Sequence, residues 1–317
     1  MWGYFLAMIT DDAIFSQLES ECQRLDRSTS SHWQNYLVGF RYHQGQFESA
    51  GLPEGGGVPK CSPMKTAVHS ILQTPFKIKG FGFRGYRDFI RFAEELHRRR
   101  GTTMDLATFR QVLTLSLLDD CVAIRKMRDP IVVIGDGFGV FASLIFSSRG
   151  NSQGKIVVVN LTQNLLVDAV YLKIGLPDVR MCLVKSATDY INALRDDRFD
   201  VVLVQADNYA VIGSGPIGMA VNIVSMQEME LDVIRGYFDV IRSSSNNSTY
   251  FYCCNREEKT LIGGSVIRFN DYPWDADDKT IFDEICPWHK YYYDQHFPFY
   301  HSYDGSIRHK LAILRKV

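Results

Sequence analysis

Ile131-Val-Val-Ile-Gly-Asp-Gly-Phe-Gly-Val-Phe-Ala-Ser-Leu-Ile-Phe146 decides how the rest of the chain is read. Ile131 to Ile134 are four apolar, β-branched residues, the composition of a buried strand. Gly135, Gly137 and Gly139 then alternate, and the apolar run Val140 to Phe146 follows at helical length. Strand, glycine turn and helix together open a doubly wound nucleotide-binding sheet. Glycines let the backbone turn tightly and lie against a ligand with no Cβ in the way. The helix behind them offers unpaired N–H groups.

The spacing bears on the ligand. A dinucleotide fingerprint, G-x-G-x-x-G, needs its third glycine at position 140, which is Val140. The G-x-G-x-G found here resembles the turn of class I methyltransferases, which in that class holds the amino-acid end of S-adenosylmethionine (SAM).

The flanking pattern extends this unit in both directions. Downstream, Lys155 to Asn160, Val179 to Val184, Asp200 to Gln205 and Thr249 to Cys254 read as four further strands. Helices are expected at Leu165 to Leu172, Asp189 to Leu194 and Met226 to Ile241. The continuous apolar strands suit a parallel sheet covered on both faces. Trp288 to Val317 reads as a terminal strand pair closed by Arg308 to Leu314. Five parallel strands with a terminal hairpin is the class I methyltransferase order, whereas a dehydrogenase usually adds more parallel strands. Upstream, Thr10-Asp-Asp caps a helix carrying Ile14, Leu18, Cys22 and Leu25, and Ser30 to Trp33 caps a short second helix. Gly51 to Pro59 is a loop or flap. Lys77 to Gly85 reads as a cationic loop, solvated or facing a substrate. Two amphipathic helices follow, Arg87 to Arg100 and Met104 to Lys126, and Arg98-Arg-Arg100 reads as a C-terminal dipole cap. The expected fold is therefore α/β, a class I methyltransferase Rossmann-like sheet (127–317) with a helical N-terminal region (1–126) over the mouth.

The totals exclude several classes of function. With 35 basic and 36 acidic residues the net charge is -1, so no basic field exists to hold a phosphate backbone, and no nucleic-acid partner is expected. Seven cysteines without a C-x-x-C pair suggest reduced thiols and a cytoplasmic setting. The apolar start, Met1 to Ile9, is too short for a membrane span. A homo-oligomer is compatible with the sequence.

Ligands in such sheets bind beyond the carboxyl ends of the strands. The cofactor-binding candidates are therefore Gly135, Asp136, Gly137, Gly139, Asn160, Leu161, Ala187 and Gln205. Asp136, the only acid in the turn, could face a ligand ammonium or the solvent. Asn160 stands where a SAM site usually has an acid for the ribose hydroxyls. For a general base the candidates are His289, Glu228 and His309, while His32, His43, His69, His97 and His296 read as structural or surface residues. No ligand spacing suggests a zinc site, and no metal is expected. Tyr272, Trp274, Trp288, Tyr291, Tyr292, Tyr293, Phe297, Phe299 and Tyr300 form either an aromatic lid or faces suited to a sugar ring.

The order of motifs carries a more specific resemblance. It comprises the Gly135 turn, Ser225-Met-Gln-Glu-Met229, Phe251-Tyr-Cys-Cys-Asn-Arg-Glu-Glu-Lys259, Tyr272-Pro-Trp274, Cys286-Pro-Trp-His289 and Asp304-Gly-x-x-x-His309. From Asp129 to Val317 the chain resembles the sugar O-methyltransferase family. That resemblance implies a SAM-dependent enzyme acting on a small-molecule hydroxyl, of a sugar or a natural product. N- or C-methylation on the same fold, a non-catalytic SAM-fold protein and a nicotinamide oxidoreductase are the rival readings. Val140 and Asn160 count against the last of these.

Overall fold

The computed structural model describes residues 13–37, 40–43, 46–48, 57–59, 63–149, 154–293 and 297–316. The expected cap at Thr10 to Asp12 and the loop segment 51–56 lie outside them. The N-terminal elements are α1 (Ala13–Glu21), α2 (Ser31–Leu37), α3 (Pro63–Leu72), α4 (Thr74–Gly80), α5 (Tyr86–Arg100) and α6 (Leu106–Val122). The alternating part runs β1 (Ile131–Ile134), α7 (Val140–Arg149), β2 (Ile156–Asn160), α8 (Thr162–Gly175), β3 (Met181–Val184), α9 (Ala187–Arg195) and β4 (Val201–Gln205). It continues with β5 (Met219–Ile223), α10 (Leu231–Arg242), β6 (Ser248–Arg256), β7 (Lys279–Ile285) and β8 (Ile307–Arg315).

These eight strands form one sheet in the order β3-β4-β2-β1-β5-β6-β8-β7. β1 to β6 are mutually parallel. β8 runs antiparallel between β6 and β7. An antiparallel strand inserted next to the last parallel one is the closing feature of the class I methyltransferase sheet, and the fold is of that class.

The structure departs from the expected elements in four places. A sixth parallel strand, β5, lies between β1 and β6. Its sequence, Met-Ala-Val-Asn-Ile, is broken by Ala220 and the polar Asn222, which hid it from an apolar-run reading. The partner of β8 is the charged segment Lys279–Ile285, an edge strand whose polarity suits its exposed position. The hairpin formed by Tyr291–Tyr293 and Tyr300–Ser302 lies outside the main sheet. Finally, the expected cationic loop begins inside α4, where Pro75 occupies the first turn and Lys77 and Lys79 the last.

Side chains alternate between two buried layers along every central strand. Ile131, Val133, Ile156, Val158, Leu203, Met219 and Val221 pack against helices α5, α6, α7 and α8. Val132, Ile134, Val157, Val159, Val202, Val204 and Ala220 pack against Tyr190, Ile234, Tyr237, Phe238 and Ile241. Both faces are covered, which is why the strands read as unbroken apolar runs. Phe89, Leu96, Phe109 and Leu113 share the first of these cores, so α5 and α6 are laid directly on the sheet.

The turn after β1 departs from ordinary backbone over a run of residues. Gly135, Gly137, Phe138 and Gly139 all have positive φ, at +70°, +64°, +56° and +56°. Gly135 is also required sterically, because a Cβ there would lie 2.2 Å from Ser225 Oγ. At Gly139 a Cβ would meet Leu172 Cγ at 2.7 Å and the Asp168 carbonyl at 2.9 Å, so this glycine lets α7 and α8 approach. Gly139→Ala is therefore expected to lose the left-handed preference, about 1–2 kcal/mol, and a further ~1–3 kcal/mol from overpacking. Gly101→Ala, at φ +70° with nothing within 4 Å, should lose only the first of these. Denaturant titration of the two variants checks the difference.

Candidate functional site

Strand order reverses at β1, because β2 leaves to one side and β5 lies on the other. Doubly wound sheets bind ligands at such a point. A cavity of about 380 Å³ opens there. Its walls come from Gly135 to Gly137 after β1, Asn160 and Leu161 after β2, Ala206 after β4, Ile223 to Ser225 after β5, and Arg256 at the end of β6. The volume lies within the range of small-molecule sites. The roof is the N-terminal arm, through Ser28, Ser30, His32, Trp33 and Tyr36. Two carboxylates pin this arm. Thr162 donates its N–H and hydroxyl to Asp26, which caps α8 from a distant part of the chain. Arg27 N–H and Ser28 N–H donate to Asp207, just past β4.

The glycine turn is braced by three buried ionisable groups. Asp136 accepts from Phe141 N–H (2.7 Å) and Ala142 N–H (2.8 Å), satisfying the first turn of α7. Asp168 accepts from Gly139 N–H (3.0 Å) and from Asn160 Nδ2 (2.8 Å). Arg100 donates through Nη2 to the Phe138 carbonyl (2.9 Å) and the Tyr171 carbonyl (3.1 Å). Burial pushes Asp168 well above the ordinary carboxylate range, and the neighbouring Asp136 adds to the rise. Burial pushes Asp136 up as well, against its two backbone donors. The guanidinium of Arg100 is lowered by burial to about 10 and remains charged. Arg100 is thus a brace of the turn; only Arg98 and Arg99 of the expected cap pair locally, both with Glu95.

The cavity also has a polar wall. Glu228 Oε1 accepts from Lys259 Nζ at 2.7 Å and lies 3.5 Å from His32 Nε2. Burial lowers His32 below the usual imidazole range; Glu228 opposes that shift and Lys259 reinforces it. Tyr303 is flanked by the guanidinium groups of Arg110 (5.0 Å) and Arg256 (5.2 Å). Below them a network of amides fixes the backbone. Asn222 Nδ2 donates to the Ile134 carbonyl and to Ser225 Oγ, Gln227 N–H donates to Asn255 Oδ1, and Arg256 N–H donates to Gln227 Oε1. Val224, a β-branched residue lining the cavity, is held at φ +59°, a rare and strained conformation. Among the described residues, the lining residues Ser30, Gln111, Asn164 and Arg256 each keep a buried polar atom without a hydrogen-bond partner. Native interiors leave few such atoms.

The sequence candidates fall into two groups. Gly135, Asp136, Gly137, Asn160, Leu161, Glu228 and His289 line the cavity. Gly139, Ala187, Gln205 and His309 do not. Gly139 serves helix packing. Ala187 follows β3, which the inserted β4 displaces to the sheet edge. Gln205 donates to Thr162 Oγ1 (2.9 Å). His309 is wholly buried on β8, with Nδ1 3.2 Å from Tyr252 Oη and Nε2 3.4 Å from Glu284. Asp136 lines the cavity while each of its oxygens also holds an N–H of α7. Asn160 is likewise engaged, donating to Asp168 and accepting from Leu161 N–H.

Sequence reasoning missed His32, Lys259, Arg110, Arg256 and Tyr303. It also missed that Cys254, Cys286 and His289 converge, with ligand atoms all within 4.8 Å of one another. None of the nine late aromatics singled out from the sequence lines the cavity. Tyr272 and Trp274 pack on Phe238, while Tyr291, Tyr292, Phe297, Phe299 and Tyr300 are exposed. The Arg-Glu-Glu-Lys259 and His32-Trp motifs were visible, but nothing in the linear pattern joined residues more than two hundred positions apart.

No protein family and no curated protein matches the sequence. Among solved structures, an arsenic(III) S-adenosylmethionine methyltransferase from Chlamydomonas reinhardtii is 13% identical at a TM-score of 0.34, over 59% of this chain and 64% of that one. A SAM-dependent methyltransferase from Archaeoglobus fulgidus is also 13% identical at 0.34, covering 64% and 94%. A mitomycin 7-O-methyltransferase is 9% identical at 0.35, covering 81% and 72%. The fold assignment rests on strand order and register. Among the described residues no helix is long and apolar enough to cross a membrane.

The raised carboxyls of the brace have a thermodynamic consequence. A carboxyl whose folded pKa exceeds its unfolded value stabilises the fold below the ordinary range, near pH 4. That stability is lost as pH rises through the folded value, because the unfolded chain has already released the proton. Asp168→Asn should therefore flatten the fall in unfolding free energy between pH 4 and pH 8, as read by urea titrations across that interval.

Proposed function

We propose that the protein is a SAM-dependent methyltransferase acting on a small polar acceptor, with a sugar or natural-product hydroxyl as the favoured class. The observation that carries this reading is the shape of the cavity. It joins a left-handed glycine turn at the switch point of a methyltransferase-type sheet with a wall of ionisable groups under the N-terminal arm.

The residues at the turn suit the cofactor. Gly137, at φ +64°, puts backbone rather than a side chain against the cavity. Asn160 lies where ribose hydroxyls would be met, and its amide both donates and accepts. The acid expected there is present one step back, as Asp168 behind Asn160. SAM, when bound, supplies an activated methyl group. The chain's task is then to hold the acceptor in line, exclude water and take the acceptor proton.

His32 with Glu228 is the pair best placed to receive that proton. Glu228 beside Nε2 favours the tautomer with its hydrogen on Nε2, which leaves Nδ1 as the basic nitrogen. The carboxylate also stabilises the imidazolium formed. Burial keeps the ring neutral at physiological pH, so the basic form is the resting form. Lys259 and Arg256 at the same wall provide donors for acceptor oxygens, and Trp33, Tyr36 and Tyr303 provide ring faces.

Titration calorimetry with S-adenosylhomocysteine tests the cofactor assignment. Binding is expected, with a loss of at least about tenfold in Gly137→Val, where the left-handed backbone and the cavity wall are both disturbed. No heat at millimolar ligand with folded protein would leave a scaffold reading instead. Transfer of labelled methyl from SAM to a panel of hydroxylated small molecules tests the reaction. His32→Ala and Glu228→Gln should each lower kcat by about 10²-fold, a general-base effect, without weakening S-adenosylhomocysteine binding. In the native enzyme kcat should rise through a single acid limb below pH ~6.5 and stay flat above it, because the base works deprotonated.

A further inference from the structure

The motif Cys286-Pro-Trp-His289 is not used by the reaction above, and the fold places it against Cys254. Cys286 Sγ lies 3.1 Å from His289 Nδ1, and Cys254 Sγ lies 3.9 Å from the same nitrogen. We propose that Cys254, Cys286 and His289 form a binding site for one soft divalent ion of the zinc type, set in the wall beside the cavity.

The donor set, its geometry and its charge agree. Zinc takes thiolate sulfur at ~2.3 Å and imidazole nitrogen at ~2.0 Å in a tetrahedron, which spaces sulfur and nitrogen about 3.6 Å apart. The observed 3.1 and 3.9 Å bracket that value. All three side chains are buried. Two thiolates neutralise a divalent ion, so the loaded site carries no net charge into a dry interior. Loading displaces the two S–H protons to solvent.

The ligands are also held in place. Cys286 N–H donates to the Ile307 carbonyl, and His289 N–H donates to the Cys286 carbonyl across a tight turn. Trp288 Nε1–H donates to Thr114 Oγ1, and Arg110 donates to the Trp288 carbonyl. Behind the ligands, Tyr252 Oη lies 3.2 Å from His309 Nδ1, and the His309 ring packs edge-on against Trp288. Such outer contacts orient metal ligands and tune thiolates. His289 touches the cavity that gives the ion a route in.

The site does not rest on the methyl-transfer reading, but it bears on it. With Nδ1 on the ion, Nε2 of His289 keeps its hydrogen and cannot act as a base. That leaves proton removal to His32 and Glu228.

Cobalt(II) is the probe, added to reduced, metal-stripped full-length protein without air. One ion per chain with an intense sulfur-to-cobalt absorption band, bleached by zinc, is expected. Cys254→Ser and Cys286→Ser should each weaken binding by more than the ~100-fold typical of outer-shell losses, while Cys121→Ser, at an exposed thiol, should leave it unchanged. If the two buried variants do not fold, cadmium-113 resonance of the native protein decides, because two-thiolate coordination moves the signal far downfield. No stoichiometric uptake by the folded native protein, a band surviving in both serine variants, or a cadmium signal without sulfur ligation overturns the proposal.

Discussion

A backbone turn that runs left-handed through Gly137, Phe138 and Gly139 leaves its polar groups pointing where no strand or helix can satisfy them. The molecule meets this with charges. Asp136 takes the free N–H groups of α7, Asp168 takes the Gly139 N–H, and Arg100 takes the Phe138 carbonyl. Each is buried, and none would be tolerated alone. One guanidinium among two carboxyls is closest to neutral when the pair retains a proton, which is the direction in which burial drives Asp168. The turn is therefore a small electrostatic assembly whose geometry needs all its members.

The origins of those members tie the fold together. Arg100 ends α5, Asp168 lies within α8 and Asp136 belongs to the turn itself. Helices on one face of the sheet are thus coupled to the loop that lines the cavity. The same device recurs at the roof, where Asp26 caps α8 from the N-terminal arm and Asp207 grips Ser28. At the start of α8 the carboxylate of Asp26 both satisfies an orphan N–H and uses the helix dipole, while Asp207 satisfies the N–H groups of a turn.

Strand order then sorts which residues can meet. The insertion of β4 between β2 and β3 sends the Ser186-Ala187 turn to the sheet edge and brings Ala206 to the cavity instead. The extra parallel strand β5 supplies Asn222, Val224 and Ser225 beside the glycine turn. Val224 is held in a conformation unfavourable for a β-branched side chain, an expense that proteins tolerate mostly where function fixes the backbone.

How much of this was legible in the chain depended on the range of the interaction. The β1 turn, the apolar central strands and the long helices α5 and α6 were readable, because glycine alternation, β-branching and helical periodicity are local properties of neighbouring residues. Five of the eight cofactor candidates, and two of the three proposed bases, line the cavity for the same reason: they follow strand ends. What the linear pattern could not hold was pairing across the chain. Arg100 looked like a dipole cap, His32 like a structural or surface residue and Cys254 like one reduced thiol among seven, and each acquired its role from a partner 30 to more than 190 positions away. Strand order decided those meetings, and strand order is set by how whole elements bury their faces against one another, a property that no short stretch of sequence contains.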